Sequence, residues 1–117
     1  MTDVTCSCSS FEDSRNIEID IPTIVLVDGG TASASEIVTS ALKNHQAATV
    51  IGEQTFGKGT GQTFRAFSDG SAMKYTIFQW LDSNDNNVDG QGITPDYTVQ
   101  NTAAQDKQLQ KAKDLLR

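Results

Sequence analysis

Two short glycine-containing motifs, each following an apolar run, carry the residue types that could do chemistry in this chain. In the first motif, Gly29–Glu36, Ser33 stands at the predicted start of a helix. In the second motif, Phe56–Gln62, Lys58 lies between glycines and Gln62 follows four residues later. A serine hydroxyl becomes a nucleophile when a base removes its proton, and an uncharged lysine can be that base. The pair therefore indicates a hydrolase of acyl bonds.

The sequence around both residues suits this chemistry. A helix that begins beside Ser33 offers free backbone N–H groups, and the N–H of Ala34 is the natural first donor to an oxyanion. An ordinary lysine has a pKa of about 10.4, so Lys58 needs apolar surroundings, to which Phe56 could contribute. The only histidine, His45, lies at the far end of the same predicted helix. At about 1.5 Å per residue it would be about 18 Å away, which excludes a Ser-His-Asp triad within one chain.

Each motif also has a plain structural interpretation. Ser33 followed three residues later by Glu36 is a capping box, which stabilises a helix start without any catalysis. A lysine between glycines, such as Lys58, is most often a solvated loop residue. The catalytic interpretation gains weight because both motifs follow strands that the sequence predicts to be parallel. Ligands of open α/β sheets bind beyond the carboxyl ends of such strands.

The elements that must position the two motifs form an α/β pattern. Two continuous apolar runs, residues 23–27 and 47–52, are typical of strands that are covered on both faces. A helix is predicted between them over residues 33–44, with four apolar side chains on one face: Ile37, Val38, Ala41 and Leu42. This arrangement is a β-α-β unit, in which the strands are parallel and the crossover is right-handed.

After this unit the pattern changes to the alternation of an antiparallel hairpin. Residues 62–67 and 72–78 flank the turn residues 68–71. An edge strand around Pro95 and a closing helix over residues 106–116 complete the chain. The predicted fold class is α/β, with a mixed sheet that contains a β-α-β unit, a hairpin and a C-terminal helix.

Length and composition limit the number of domains and the kinds of ligand and partner that the chain could have. With 117 residues the chain holds one domain at most, and its polar residues 1–20 predict a flexible lead-in. A net charge of −6 argues against a nucleic-acid surface. No apolar run approaches the roughly 18 residues of a membrane span, and the N-terminus lacks the pattern of a signal peptide. Cys6 and Cys8 lack the further ligands of a metal site, so we expect no metal and no cofactor.

Two other motifs leave alternative interpretations open. Residues 52–58 match most of a phosphate-binding loop, although Gly59 stands where Ser or Thr would hold magnesium and a strand follows where a helix is needed. Residues 85–90, with Asp96 in the twelfth position, resemble the start of a calcium loop, although no helices flank them. The plain interpretation of the second motif is a polar hairpin tip.

Four segments in this order resemble the C-terminal processing peptidases, also called tail-specific proteases: residues 30–37, 50–59, 68–74 and 92–96. The resemblance runs from about residue 21 to residue 116 and implies a fold similar to the Clp protease and crotonase group. It also implies a serine endopeptidase with a Ser-Lys dyad, which cuts proteins near disordered C-termini. A periplasmic, cell-envelope or secreted location is implied for the parent protein.

The resemblance assigns a role to four residues by position. It implies that Ser33, rather than Ser35, is the nucleophile and that Lys58 is the general base. Gln62 matches the residue that orients the lysine, and Ala34 matches the residue whose backbone N–H serves the oxyanion hole.

Members of that family also have an upstream part of the catalytic domain, with a second oxyanion donor, and usually a PDZ domain. This sequence matches neither, so we expect residues 21–117 to be the C-terminal part of a serine peptidase catalytic domain. Losing one oxyanion donor costs about 10²–10³ in rate, and the chain alone is therefore expected to be weakly active or inactive. The alternative is a non-catalytic remnant that binds a peptide, or a second copy of itself as a homodimer, through exposed sheet edges.

Overall fold

Strands and helices follow one another in an α/β order along residues 21–117, the part of the chain that the computed structural model describes. The predicted lead-in over residues 1–20 lies outside the described residues. The elements are β1 (Ile24–Val27), α1 (Ala34–Asn44), β2 (Thr49–Gly52), β3 (Thr60–Ala66), β4 (Ala72–Gln79), β5 (Tyr97–Thr98) and α2 (Lys107–Leu115).

The strands form two separate sheets. One is a parallel sheet with the order β1-β2-β5, in which Ile24 pairs with Thr49 and Val27 pairs with Gly52. The other is the antiparallel hairpin β3-β4. The predicted α/β class, β-α-β unit, hairpin and C-terminal helix are confirmed. The parallel and antiparallel strands, expected in one mixed sheet, lie in two sheets because the loop of residues 53–59 separates β3 from β2.

Helix α1 turns its polar side inward. Its buried residues are Glu36, Thr39 and Ser40, whereas Ile37 and Val38 are 47% and 57% exposed. The sequence predicted the helix and its apolar face correctly, but Ile37 and Val38 on that face are exposed and Leu42 is only half-buried. The inward direction of the polar side follows from the hydrogen bonds that Glu36 makes, which are described below.

The core of the described residues is small. Its buried apolar side chains come from the parallel sheet, from the loop after β4 and from α2: Val27, Val50, Ile51, Val88, Ile93 and Ala112. Helix α2 packs on β1 and β2. It begins at Asp106, whose carboxylate accepts the N–H of Leu109 at 2.9 Å, and Gln108 fixes it to the carbonyl of Val99 at 2.9 Å. Neither of the two helices in residues 21–117 is long and apolar enough to cross a membrane.

Candidate active site

Ser33 lies in a strained turn between β1 and α1. Its backbone angles are φ 57° and ψ −120°, a combination that normally requires glycine. The turn is closed by a hydrogen bond from the N–H of Ser35 to the carbonyl of Ala32 at 3.2 Å. Such conformations cost about 1–3 kcal/mol, persist only when the surrounding structure enforces them, and cluster at functional sites. The strained backbone therefore marks Ser33 as a candidate functional residue.

The capping box predicted for Ser33 and Glu36 is present at the start of α1. The N–H of Ser33 donates to Oε2 of Glu36 at 2.9 Å, which is one half of a capping box. In the other half, the Ser33 hydroxyl lies near the N–H of Glu36 without reaching the geometry of a hydrogen bond. That N–H instead donates to the Ser33 carbonyl at 2.8 Å. The N–H of Ala34 has no acceptor within residues 21–117.

Glu36 is fully buried and joins the start of α1 to the loop after β2. Its Oε1 accepts the hydroxyl of Thr55 at 2.5 Å and the N–H of Gly57 at 2.7 Å. Its Oε2 accepts the N–H of Lys58 at 2.8 Å, in addition to that of Ser33. A single carboxylate therefore binds both segments that carry the predicted site residues.

The four hydrogen bonds keep the Glu36 carboxylate charged. Burial raises its pKa, but hydrogen bonds from Thr55, Lys58, Gly57 and Ser33 lower it by more, so the pKa lies below the ordinary value of 4.5. Glu36 is thus an anion at neutral pH. From the sequence, only a helix-capping role is predicted for this residue. The signal of its second role is a carboxylate at the start of α1, opposite a glycine loop rich in backbone N–H groups.

The shared oxygen atom brings the backbones of Ser33 and Lys58 together. Each backbone nitrogen lies within hydrogen-bond distance of Glu36 Oε2, so the two nitrogens are no further apart than 2.9 Å plus 2.8 Å. The Lys58 side chain is partly exposed. Within residues 21–117 no hydrogen bond joins its Nζ to the Ser33 hydroxyl. The structure therefore brings both residues to the carboxyl end of the parallel sheet, with their side chains not in contact through a hydrogen bond.

The loop of residues 80–92 holds Lys58 from the other side. The carbonyl of Gly57 accepts the N–H of Gly90 at 2.9 Å, and the carbonyl of Lys58 accepts the indole N–H of Trp80 at 3.3 Å. Gly57 has φ 85°, and a Cβ there would come 2.7 Å from a backbone nitrogen of this loop. Glycine is therefore required beside Lys58 for a close approach of two backbones.

These contacts weaken the two alternative interpretations of the sequence. The N–H groups of Gly57 and Lys58 would bind a phosphate in a phosphate loop, but both already bind the Glu36 carboxylate. In the motif that resembles a calcium loop, Asp89 Oδ1 accepts the N–H of Gly59 at 3.0 Å. Across residues 21–117, no three His, Cys, Asp or Glu side chains come together as metal ligands.

Gln62, the residue expected to orient the lysine, lies in β3 next to a β-bulge between Gly61 and Gln62. It is exposed, and its side chain makes no hydrogen bond to Lys58 within the described residues. Its role therefore stays a prediction.

Two of the solved structures similar to this chain are proteases by name. The photosystem II D1 C-terminal processing protease matches 69% of this chain and 21% of its own, with a TM-score of 0.65 and 38% identity. The tricorn protease matches 81% of this chain and 10% of its own, with a TM-score of 0.70 and 23% identity, which concerns the fold alone. The predicted fold class, a fragment of the Clp-like type, is confirmed by these neighbours.

The sequence comparisons identify the family. The model of peptidase family S41 matches residues 4–99. A "Probable CtpA-like serine protease" of Staphylococcus haemolyticus is 44% identical over 97 residues, which are 83% of this chain and 20% of that protein. A protein of the same name from Staphylococcus aureus is 44% identical over 96 residues, 82% of this chain and 18% of that protein. The chain belongs to peptidase family S41, and it spans about a fifth of the length of these curated relatives. The predicted resemblance to C-terminal processing peptidases is thereby confirmed.

Proposed function

We propose that this chain carries the nucleophile and the general base of a serine endopeptidase that uses a Ser-Lys dyad. Ser33 is the nucleophile and Lys58 the base, Ala34 supplies an oxyanion donor, and Gln62 orients the lysine. The observation that carries the proposal is the strained backbone of Ser33, at φ 57°, beside the backbone of Lys58 on one buried carboxylate. A helix cap alone does not need that strain.

The reaction follows from these roles. The uncharged amine of Lys58 takes the proton of the Ser33 hydroxyl while Oγ attacks the peptide carbonyl carbon. The N–H of Ala34, which has no acceptor in the described part of the chain, donates to the oxyanion of the tetrahedral intermediate. The Lys58 ammonium then gives its proton to the leaving amine, and an acyl group remains on Ser33. Water then attacks the acyl carbon while the same amine takes its proton. The bond from the acyl carbon to Ser33 Oγ breaks, Oγ takes back the proton from the Lys58 ammonium, and the carboxylic acid product leaves.

The proposed substrates are unstructured protein segments near C-termini. The name of the D1 C-terminal processing protease, which is 38% identical to this chain, supports that class. The chain spans about a fifth of its curated relatives, so we expect it to cleave peptides weakly or not at all alone, with a second oxyanion donor supplied by the remainder of such a protein. Activation of the Ser33 hydroxyl needs only Lys58, and we expect it to be retained in the chain alone. The resemblance to the family supports a location outside the cytoplasm for the whole protein.

A fluorophosphonate probe tests whether the Ser33 hydroxyl is activated in the chain as it exists. We expect labelling of the wild-type chain, no labelling of Ser33→Ala, and strongly reduced labelling of Lys58→Ala. Ser35→Ala is the matched control, since it removes a neighbouring hydroxyl in the same turn. Labelling that survives in Ser33→Ala, or disappears in Ser35→Ala, would contradict the assignment.

The hairpin favours a second candidate function, which is self-association without catalysis. All eight residues of β4 are exposed, including Met73, Ile77 and Phe78 at 48%, 55% and 54%. A two-stranded hairpin is marginally stable alone, and its outer edges can pair with another strand. Sedimentation velocity should show a dimer that Ile77→Lys dissociates and that Ser68→Lys, in the turn, leaves intact. A wild-type chain that stays monomeric at all concentrations rules this candidate out.

A further inference from the structure

The contacts of Glu36 exceed what a helix cap requires. A capping carboxylate satisfies N–H groups of its own helix start. Glu36 does this for Ser33 and, in addition, binds three donors of a loop about twenty residues further along the chain, which are Thr55, Gly57 and Lys58. Most of its hydrogen-bonding capacity is therefore directed at the loop that carries Lys58.

The two oxygen atoms of the Glu36 carboxylate bind different donors. Oε1 binds the hydroxyl of Thr55 and the N–H of Gly57, which are both in the buried part of the loop. Oε2 binds the N–H of Ser33 at 2.9 Å and the N–H of Lys58 at 2.8 Å. The proposed nucleophile and the proposed base thus have their backbones fixed to the same atom.

The strained backbone of Ser33 must be held in place by neighbouring groups. A non-glycine residue at φ 57° and ψ −120° relaxes unless its surroundings hold it. The N–H of Ser33 itself donates a hydrogen bond to the buried Glu36 carboxylate. This bond restrains the backbone at the residue whose φ is strained. A hydrogen bond to a charged acceptor in a site without water is stronger than one between neutral groups.

We infer that Glu36 is a positioning residue of the Ser-Lys dyad, whose carboxylate holds the backbones of Ser33 and Lys58 at a fixed separation. This inference rests on the proposed Ser-Lys function. The Glu36 carboxylate accepts the backbone N–H groups of Ser33 and Lys58, and within residues 21–117 it makes no hydrogen bond to the Ser33 hydroxyl or to Lys58 Nζ. It therefore acts through the two residues that it binds. Catalytic groups must hold their geometry closely, because a misplacement of about 1 Å can cost about a hundredfold in rate.

The first test uses the wild-type chain and needs no activity. In hydrogen exchange followed by NMR, the amide hydrogens of Ser33, Gly57 and Lys58 should exchange at least about tenfold more slowly than that of Ala34. Ala34 is the internal control, since it lies next to Ser33 and has no acceptor within the described residues. Equal rates for Ala34 and these three amides would overturn the inference, whatever the chain does as an enzyme.

The second test compares the rate of fluorophosphonate labelling among folded variants. Glu36→Gln replaces one acceptor oxygen by a donor, so we expect its rate to fall about tenfold to a hundredfold. Glu53→Gln is the matched control, since Glu53 lies in the same loop and makes no side-chain hydrogen bond in the described part of the chain; its rate should stay within about twofold of wild type. Wild-type labelling in Glu36→Gln would overturn the inference.

If Glu36→Gln does not fold, Glu36→Asp, which keeps the negative charge, provides the test. Glu36→Asp keeps the carboxylate but shortens the side chain, so it cannot reach both segments, and we expect a similar loss of labelling in folded protein. Wild-type labelling of Glu36→Asp would also overturn the inference. A wild-type chain that is not labelled at Ser33 at all would instead contradict the proposed function, while the exchange rates still report on the role of Glu36 in the backbone.

Discussion

Gly52, the last residue of β2, lies so close to Val27, the last residue of β1, that no side chain fits between them. A Cβ at Gly52 would come 1.8 Å from the carbonyl oxygen of Val27, and the φ of Gly52 is 144°. That same carbonyl accepts the N–H of Glu53 at 3.0 Å. The two loops that carry Ser33 and Lys58 begin at this contact. The contact therefore sets the distance between the first residues of the two loops.

Gly52→Ala should therefore destabilise the chain strongly. Both the strained φ and the overlap with Val27 cost free energy, and we expect the free energy of unfolding to fall by about 3 kcal/mol or more. Urea unfolding followed by circular dichroism measures this. Gly70→Ala is the control, because Gly70 also has a positive φ of 84° but has nothing within 4 Å of a Cβ. Its cost should be about 1–2 kcal/mol. Equal costs would mean that the contact with Val27 does not limit residue 52.

The hydroxyl of Thr55 should contribute more to the free energy of unfolding than its methyl group does. Thr55 is buried; it donates to Glu36 Oε1 and accepts the N–H of Ile93 at 2.7 Å. Thr55→Val leaves the buried N–H of Ile93 without a partner and removes one of the two donors to Glu36 Oε1, which keeps the N–H of Gly57. We expect the free energy of unfolding to fall by about 1–3 kcal/mol. Thr55→Ser keeps both bonds and should lose only about 1 kcal/mol. Thermal or urea unfolding of the two variants decides, and a Val variant as stable as the Ser variant would contradict the hydrogen-bond network.

The sequence predicted the local elements and the parts of the site that depend on their order. The β-α-β pattern brings the ends of β1 and β2 to one edge of a sheet, and a residue near each end then lies at that edge. For this reason the adjacency of the Ser33 and Lys58 segments could be inferred from two motifs. The hairpin followed from alternation and from a turn at residues 68–71, which the hydrogen bond from the N–H of Phe67 to the carbonyl of Ser71 closes.

What the sequence did not predict depends on contacts between distant residues. Glu36 looked like a local cap because three of its four donors lie about twenty residues away. The sequence also did not predict that the apolar face of α1 points outward, for a related reason. Periodicity identifies which side of a helix is apolar, but the partner on the other side decides which face is buried. Here the donors around Glu36 hold the polar side inward, and Ile37 and Val38 face outward.

Acid should weaken the link between α1 and Asp96, the residue before β5. Lys43 Nζ lies 2.7 Å from Asp96 Oδ1, and Asp96 Oδ2 accepts the N–H of Val50 at 2.8 Å. Burial raises the pKa of Asp96, but the bond to Lys43, the Val50 N–H and the Lys43 charge lower it below the ordinary 3.8. A group whose pKa is lowered by folding stabilises the fold above its unfolded pKa and loses that contribution as pH falls through its folded pKa.

Lys43→Met tests this prediction. The pair is partly exposed, so its removal should cost less than about 1 kcal/mol at pH 7. The difference from wild type should shrink below about pH 4 as Asp96 becomes protonated. Urea unfolding between about pH 7 and pH 2.5 measures the difference. Lys74→Met is the control, since Lys74 is exposed on the hairpin. A difference that grows toward low pH would have the wrong sign for the Lys43–Asp96 pair.

The backbone of Ser33 should make glycine the more stable residue at that position. Ser33→Gly relieves the strain at φ 57°, whereas Ser33→Ala keeps it. Both variants lack the hydroxyl, so their difference isolates the backbone, and we expect the glycine variant to be more stable by about 1 kcal/mol. Urea unfolding compares them. The matched pair Ser35→Gly and Ser35→Ala, in the first turn of α1, should have the opposite sign, since glycine is less favourable than alanine within a helix. If glycine were the less stable residue at position 33 as well, Ser33 would hold no strain, and the chain would lose the observation that favours a nucleophile there over a helix cap.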